Sequence, residues 1–100
     1  MLALNVFVRV KLESREELLE AVRALFDELA KEPTFLDAWV HTSVEEPDLI
    51  VIYERWKETK ESFERELLPK PLYKPYLSVL ERVGIERKAH WLETRYAWRA

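Results

Sequence analysis

Leu4, Val6, Val8 and Val10 alternate with Asn5, Phe7 and Arg9, and this period of two predicts a strand from Ala3 to Val10 whose second face is also partly apolar. Ser14 followed by Glu17 has the spacing of a capping box. Behind it Leu18, Val22, Leu25 and Leu29, flanked by Leu19 and Phe26, recur at helical spacing until Pro33 stops the helix. Phe35 to Val44 predicts a second strand, with Leu36, Ala38, Val40 and Val44 on one side and Phe35, Trp39 and His41 on the other; Glu45 to Asp48 makes the turn that follows. Leu49 to Tyr53 is uninterrupted apolar and β-branched, as in a central strand covered on both faces, and it runs on into Glu54, Arg55 and Trp56. Thr59 caps a short helix carrying Phe63 and Leu67, which must break near Pro69. A second helical piece, with Pro75 near its first turn, carries Tyr76, Leu77, Leu80 and Val83 as far as Gly84. From Ile85 to Trp98 the alternation returns, with His90, Leu92, Thr94, Tyr96 and Trp98 opposite Ala89, Trp91, Arg95 and Ala97.

The order β-α-β-β-α-β predicts an α+β, ferredoxin-like split βαβ fold: one antiparallel sheet with its helices on a single face. That arrangement leaves the other sheet face bare in a monomer. Trp39, Trp91 and Trp98 add apolar strand surface that one chain's helices cannot hide, so the expected partner is a second copy packed sheet to sheet, as a homodimer.

Composition narrows the function. One hundred residues, 48% of them apolar, fit one core, and the expectation is a single domain over residues 1–100. No apolar run approaches the roughly 20 residues of a membrane span, and Met1 to Val10 alternates instead of forming a signal-peptide core, so no membrane partner and a cytoplasmic location are expected. Cysteine is absent, which excludes thiol nucleophiles and thiolate metal sites. The net charge of −3 is spread over interleaved acids and bases, and the strands lack the Gly and basic-aromatic signature of base-stacking domains, so nucleic acid is not an expected partner. His41 and His90 stand on separate strands without a second ligand at a meaningful spacing, so no metal is expected. Absent Gln, a single Asn and abundant Glu, Arg and Lys are a balance that accompanies thermophilic origin.

The run Glu46-Pro47-Asp48, Leu49 to Tyr53, Glu54-Arg55-Trp56 and then Thr59 to Phe63 resembles the hallmark of antibiotic biosynthesis monooxygenase domains, in which an acidic-proline turn precedes a strand ending in Tyr-Glu-x-Trp and a short helix follows a Ser or Thr. The resemblance covers nearly the whole chain in element order. It implies a dimeric α+β barrel with a pocket in each subunit between sheet and helices. The family includes cofactor-free oxygenases of phenolic or quinol substrates, haem-degrading enzymes and members without known activity. By this resemblance Asn5 matches an Asn that haem-degrading relatives hold near their cofactor, and Trp56 matches the tryptophan at the strand end. Two departures stand out. Arg65 or Glu66 takes the place of a His in the short helix of many quinol-oxidising relatives, and Pro75 or Tyr76 that of the axial His of haem-degrading ones, which argues against haem degradation.

The resemblance therefore implies a cofactor-independent monooxygenase acting on a small aromatic, phenolic or quinol compound, with neither metal nor bound cofactor. Such a site must deprotonate or activate the phenol so that dioxygen can take an electron, and then stabilise the anion. The candidate catalytic residues are Asn5 as a hydrogen-bond donor, Tyr76 as donor or proton carrier, and Arg65 as anion partner; Trp39, Trp56 and Tyr73 are the candidate substrate-binding groups. Each has a plainer structural alternative. Asn5 can sit at a solvent edge, Trp91, Tyr96 and Trp98 can be interface, Glu54 and Arg55 can form a cross-strand or intersubunit ion pair at the surface, and Pro69, Pro71 and Pro75 can stiffen a connection instead of forming a lid. The competing function is a non-catalytic dimeric barrel that binds a small hydrophobic ligand or serves a regulatory role. The enzyme reading requires Asn5, Tyr76, Arg65 and an aromatic wall to converge on one cavity.

Overall fold

The computed structural model describes residues 1–100. Strands β1 (Leu2–Val10), β2 (Phe35–Thr42), β3 (Leu49–Trp56) and β4 (Gly84–Glu93) form one antiparallel sheet in the order β2-β3-β1-β4. Helices α1 (Arg15–Leu29), α2 (Lys60–Glu66) and α3 (Lys74–Val83) cover one face, with a 3-10 turn at Pro71–Tyr73 leading into α3. This is the ferredoxin-like α+β fold that the element order predicts. No helix is long and apolar enough to cross a membrane.

The core follows from parity. Leu4, Val6, Val8 and Val10 of β1 lie on one face with Ile50, Ile52 and Trp56 of β3, and all are buried. The α1 stripe Leu18, Val22, Leu25 and Leu29 closes over them, together with Phe63, Leu67, Tyr76 and Val83 from the second helical half. Asn5, Phe7 and Arg9 necessarily project from the opposite face, which no helix covers.

Several local expectations need correction. Ser14 makes no side-chain cap: a 3-10 turn at Leu12–Ser14 precedes α1, and Glu17 pairs with Arg82 of α3 instead of reaching back. The capping box forms at α2, where Thr59 accepts from the Ser62 backbone N–H at 3.0 Å and the Ser62 hydroxyl accepts from the Thr59 backbone N–H at 3.0 Å. A register shift between Phe35 and Asp37 turns Phe35 onto the core side, against Trp56 at 5.2 Å, so it does not share a face with Trp39. Glu54 and Arg55, adjacent on β3, point to opposite faces and do not pair with each other; the cross-strand ion pair that forms is Arg55 with Asp37 of β2, through two hydrogen bonds of 2.8 and 2.5 Å. The last strand stops at Glu93, and residues 94–100 have no regular structure, leaving Tyr96 78% and Trp98 87% exposed.

Gly84 joins α3 to β4 with an ordinary extended backbone, but a Cβ there would lie 2.6 Å from the Leu80 carbonyl oxygen. Gly84→Ala should therefore destabilise the protein by about 1–3 kcal/mol, read as a lower urea midpoint with unchanged slope.

Candidate active site

Between the sheet and its helices lies a small, partly open cavity of about 40 Å³. Leu4, Val6 and Ile52 form its floor, and Leu25, Phe26 and Leu29 of α1 one wall. Phe63, Leu68, Tyr73 and Tyr76 form the other. Two charged side chains enter this apolar shell, Glu54 from β3 and Arg87 from β4.

Glu54 is 6% exposed. Its parity in β3 places it with Ile50, Ile52 and Trp56 on the helix side, while Arg55 faces away. Burial pushes its carboxyl up to about 7, against the opposing pull of the Trp56 indole N–H, which donates to Oε1 at 3.0 Å, and of the Arg87 charge. A carboxyl with such a value is part proton acceptor and part acid at neutral pH. Burial, followed by the nearby Glu54 charge, also raises Tyr73, which keeps its proton across the neutral range. Tyr76 is raised chiefly by burial, and Arg87 beside it opposes that rise.

Trp56 is wholly buried, held edge to face between Phe35 at 5.2 Å and Phe63 at 5.3 Å. Its ring is thus a fixed donor to Glu54 and not a wall of the cavity. The Phe63 ring in turn meets Trp91 at 5.6 Å, and Lys60 lies over Trp91.

The structure brings together Tyr73, Tyr76 and, through its hydrogen bond, Trp56. It does not bring the other three to this place. Asn5 lies on the helix-free face, paired in register between Tyr53 and His90. Arg65 is on the exposed side of α2, paired with Glu66 at 3.2 Å. Trp39, 48% exposed, stands beside Tyr53 at 5.9 Å on the same outer face as Asn5. The expected convergence of Asn5, Arg65 and an aromatic wall is therefore absent. In their place stand Glu54 and Arg87, which sequence reasoning missed. The available signal was parity: Glu54 is two residues from both Ile52 and Trp56, and Arg87 two residues from Ala89 in the row that contains Trp91.

No group of three His, Cys, Asp or Glu side chains is placed to hold a metal ion. A larger groove of about 620 Å³ between α1 and β2 is open, and its polar lining, Glu16, Glu20, Arg23 and Asp27, is exposed.

The cavity holds a few water molecules at most, whereas ligand pockets are commonly about 300–1,000 Å³. An aromatic ring enters only if a wall moves. The α2–α3 connection carries Leu68, 40% exposed, between the cavity and solvent. Lys70 pins this segment to the end of α1 through Glu32 at 2.7 Å.

Residues 1–65 match the family model described as antibiotic biosynthesis monooxygenase, so Glu54 and Trp56 lie inside the matched region and Tyr73, Tyr76 and Arg87 beyond it. No curated protein matches the sequence. Among solved structures, a candidate antibiotic biosynthesis monooxygenase from Nitrosomonas europaea is 23% identical, with a TM-score of 0.83 over 96% of this chain and 100% of that one. One from Deinococcus radiodurans is 16% identical, with a TM-score of 0.84 over 100% and 98%. SnoaB, a cofactor-independent oxygenase from Streptomyces nogalater, crystallised as a point mutant, is 14% identical, with a TM-score of 0.82 over 96% and 94%. At these identities the structural likeness establishes the shared fold, and the sequence match establishes the lineage. The chain belongs to the antibiotic biosynthesis monooxygenase family.

Proposed function

We propose that the protein is a cofactor-independent monooxygenase of a small phenolic or quinol compound, with Glu54 as its proton acceptor. The observation that carries this reading is a carboxyl raised to about 7 inside an apolar cavity that also holds two buried tyrosine hydroxyls. Family membership and the likeness to SnoaB, itself a cofactor-independent oxygenase, support it.

In this mechanism the substrate hydroxyl gives its proton to Glu54, and the Tyr73 and Tyr76 hydroxyls donate to the phenolate oxygen. The phenolate passes one electron to dioxygen, and the resulting radical and superoxide join at a hydrogen-bearing ring carbon ortho or para to the oxygen, the ortho carbon where the para position is substituted. The peroxide takes back the proton from Glu54. Because that carbon carried a hydrogen, loss of water leaves a quinone, so one dioxygen is consumed and one of its oxygen atoms leaves as water. Trp56 holds Glu54 in place through its indole N–H. Closure by the α2–α3 connection keeps bulk water from the radical pair.

The test is oxygen uptake by the purified protein with a panel of hydroquinones and polycyclic phenols, without added flavin, metal or haem. Uptake above the buffer rate supports the oxygenase. Binding of the same compounds without uptake selects the second reading, a small-ligand-binding barrel, which the mostly apolar cavity also fits.

We further propose that residues 1–100 act as a single domain and pair as a homodimer through the helix-free sheet face. That face carries Phe7, Trp39, Val51 and Tyr53, which no helix covers; the short tail lies beside Trp39 and Tyr53. Light scattering should give twice the chain mass. Val51→Lys, which puts a charge at the centre of this face without touching the core, should shift the protein to monomer at micromolar concentration.

A further inference from the structure

Arg87 is the charged group of the cavity that the oxidation itself does not use. It enters from β4 opposite Val8, whereas Glu54 enters from β3 opposite Leu4. Four residues along β1 correspond to roughly 13 Å, so the two charged groups reach the cavity from opposite ends. Glu54 is buried and Arg87 is exposed, so the Glu54 end is the inner one and the Arg87 end faces solvent.

Arg9, Arg23, Arg55, Arg65 and Arg82 each have a carboxylate partner. Arg87 has none within ion-pair distance, and the Glu54 carboxyl acts on it only at longer range. Its neighbours Glu86 and Lys88 project to the other sheet face, the strand opposite presents Val8, and α3 presents the Tyr76 hydroxyl. A planar guanidinium at the mouth of an apolar cavity, with no carboxylate in ion-pair contact, is a site for a carboxylate that arrives with a ligand.

We propose that Arg87 is a substrate-binding residue and that the substrate is a phenol bearing a carboxylate across the ring from its hydroxyl. The hydroxyl then reaches Glu54 at the inner end while the carboxylate stays at Arg87 near the mouth. This rests on the phenol reading above, and it goes beyond that reading by fixing the substrate's second functional group and its direction of entry. Arg87 takes the anion-binding part that sequence reasoning assigned to Arg65.

The test is calorimetric titration of the full-length protein at neutral pH with 4-hydroxyphenylacetate and with the neutral 4-ethylphenol. Wild type should bind the acid about tenfold more tightly, a difference of about 1.4 kcal/mol. Arg87→Gln should erase that preference by weakening the acid far more than 4-ethylphenol, and Arg87→Lys should keep part of it. Equal binding of the two compounds by wild type, or a preference that survives in Arg87→Gln, overturns the role of Arg87 while the phenol reading stands. If wild type binds neither compound, the phenol reading fails and this proposal fails with it. Unchanged thermal unfolding of the variants separates a lost contact from a lost fold.

Discussion

Glu54→Gln should lower the rate of cofactor-free phenol oxidation by about 10²–10⁴-fold, the usual contribution of a positioned proton acceptor, while leaving the fold intact. The amide is nearly isosteric and can still accept from the Trp56 indole N–H, so packing in the cavity survives and only the proton acceptor is removed. The same substitution has an opposite signature in stability. Burial holds the folded carboxyl at about 7 against an ordinary value of 4.5, so the native state keeps a proton that the unfolded chain releases in that interval. Stability therefore falls as pH rises from 4.5 to 7, by about 3 kcal/mol, and levels off above. The Gln variant lacks this slope and should be the more stable protein at pH 8. Asp37 and Glu17, whose carboxyls are held low by hydrogen bonds from Arg55 and Arg82, destabilise the fold only as pH falls further, and they do so equally in both proteins. Urea midpoints of the two proteins from pH 4 to 8 isolate the contribution of Glu54.

Trp56→Ala should cost about 3–5 kcal/mol, because the indole is wholly buried and its loss leaves a void between Phe35 and Phe63. Trp56→Phe should cost less, since a ring still fills most of that space. It nevertheless removes the donor to Glu54, so the Glu54 carboxyl should move up and the pH at which oxidation switches on should move with it. The two substitutions separate the packing role of Trp56 from its positioning role: the denaturation midpoint follows the first, the pH profile the second.

Most of the architecture was legible because the strongest periodic signals belong to the elements that build the core. The Leu18-Val22-Leu25-Leu29 stripe became α1, and the Leu4-Val6-Val8-Val10 row became the central strand under it. The turn at Glu45 to Asp48 is also where it was expected, tied by Arg9 to Glu46 and Asp48. The errors have physical causes. A bulge reverses the side of Phe35 without changing the pattern, and Ser14 lost its cap because the chain tightens into a 3-10 turn before α1.

The site was less legible. Family resemblance pointed to Asn5, yet the parity of β1 already sent Asn5 away from the more apolar row and so away from the helices. Glu54, in a Tyr-Glu-Arg-Trp run, looked like half of a surface pair; only the alternation at the end of β3 puts it inside. Arg87 lies in the charged stretch Glu86-Arg87-Lys88, where no composition signal separates an inward arginine from its outward neighbours. Tyr73 and Tyr76 were found because the prolines around them marked the segment that closes the cavity.

Titration of the side-chain carboxyl of Glu54 by carbon-13 NMR, assigned by the resonance missing from Glu54→Gln, tests the central claim directly. A midpoint near 7 that shifts when a phenol is added is the predicted result, whereas a midpoint at the ordinary carboxylate value, about 4–5, with no response to phenol would contradict a buried proton acceptor facing the substrate.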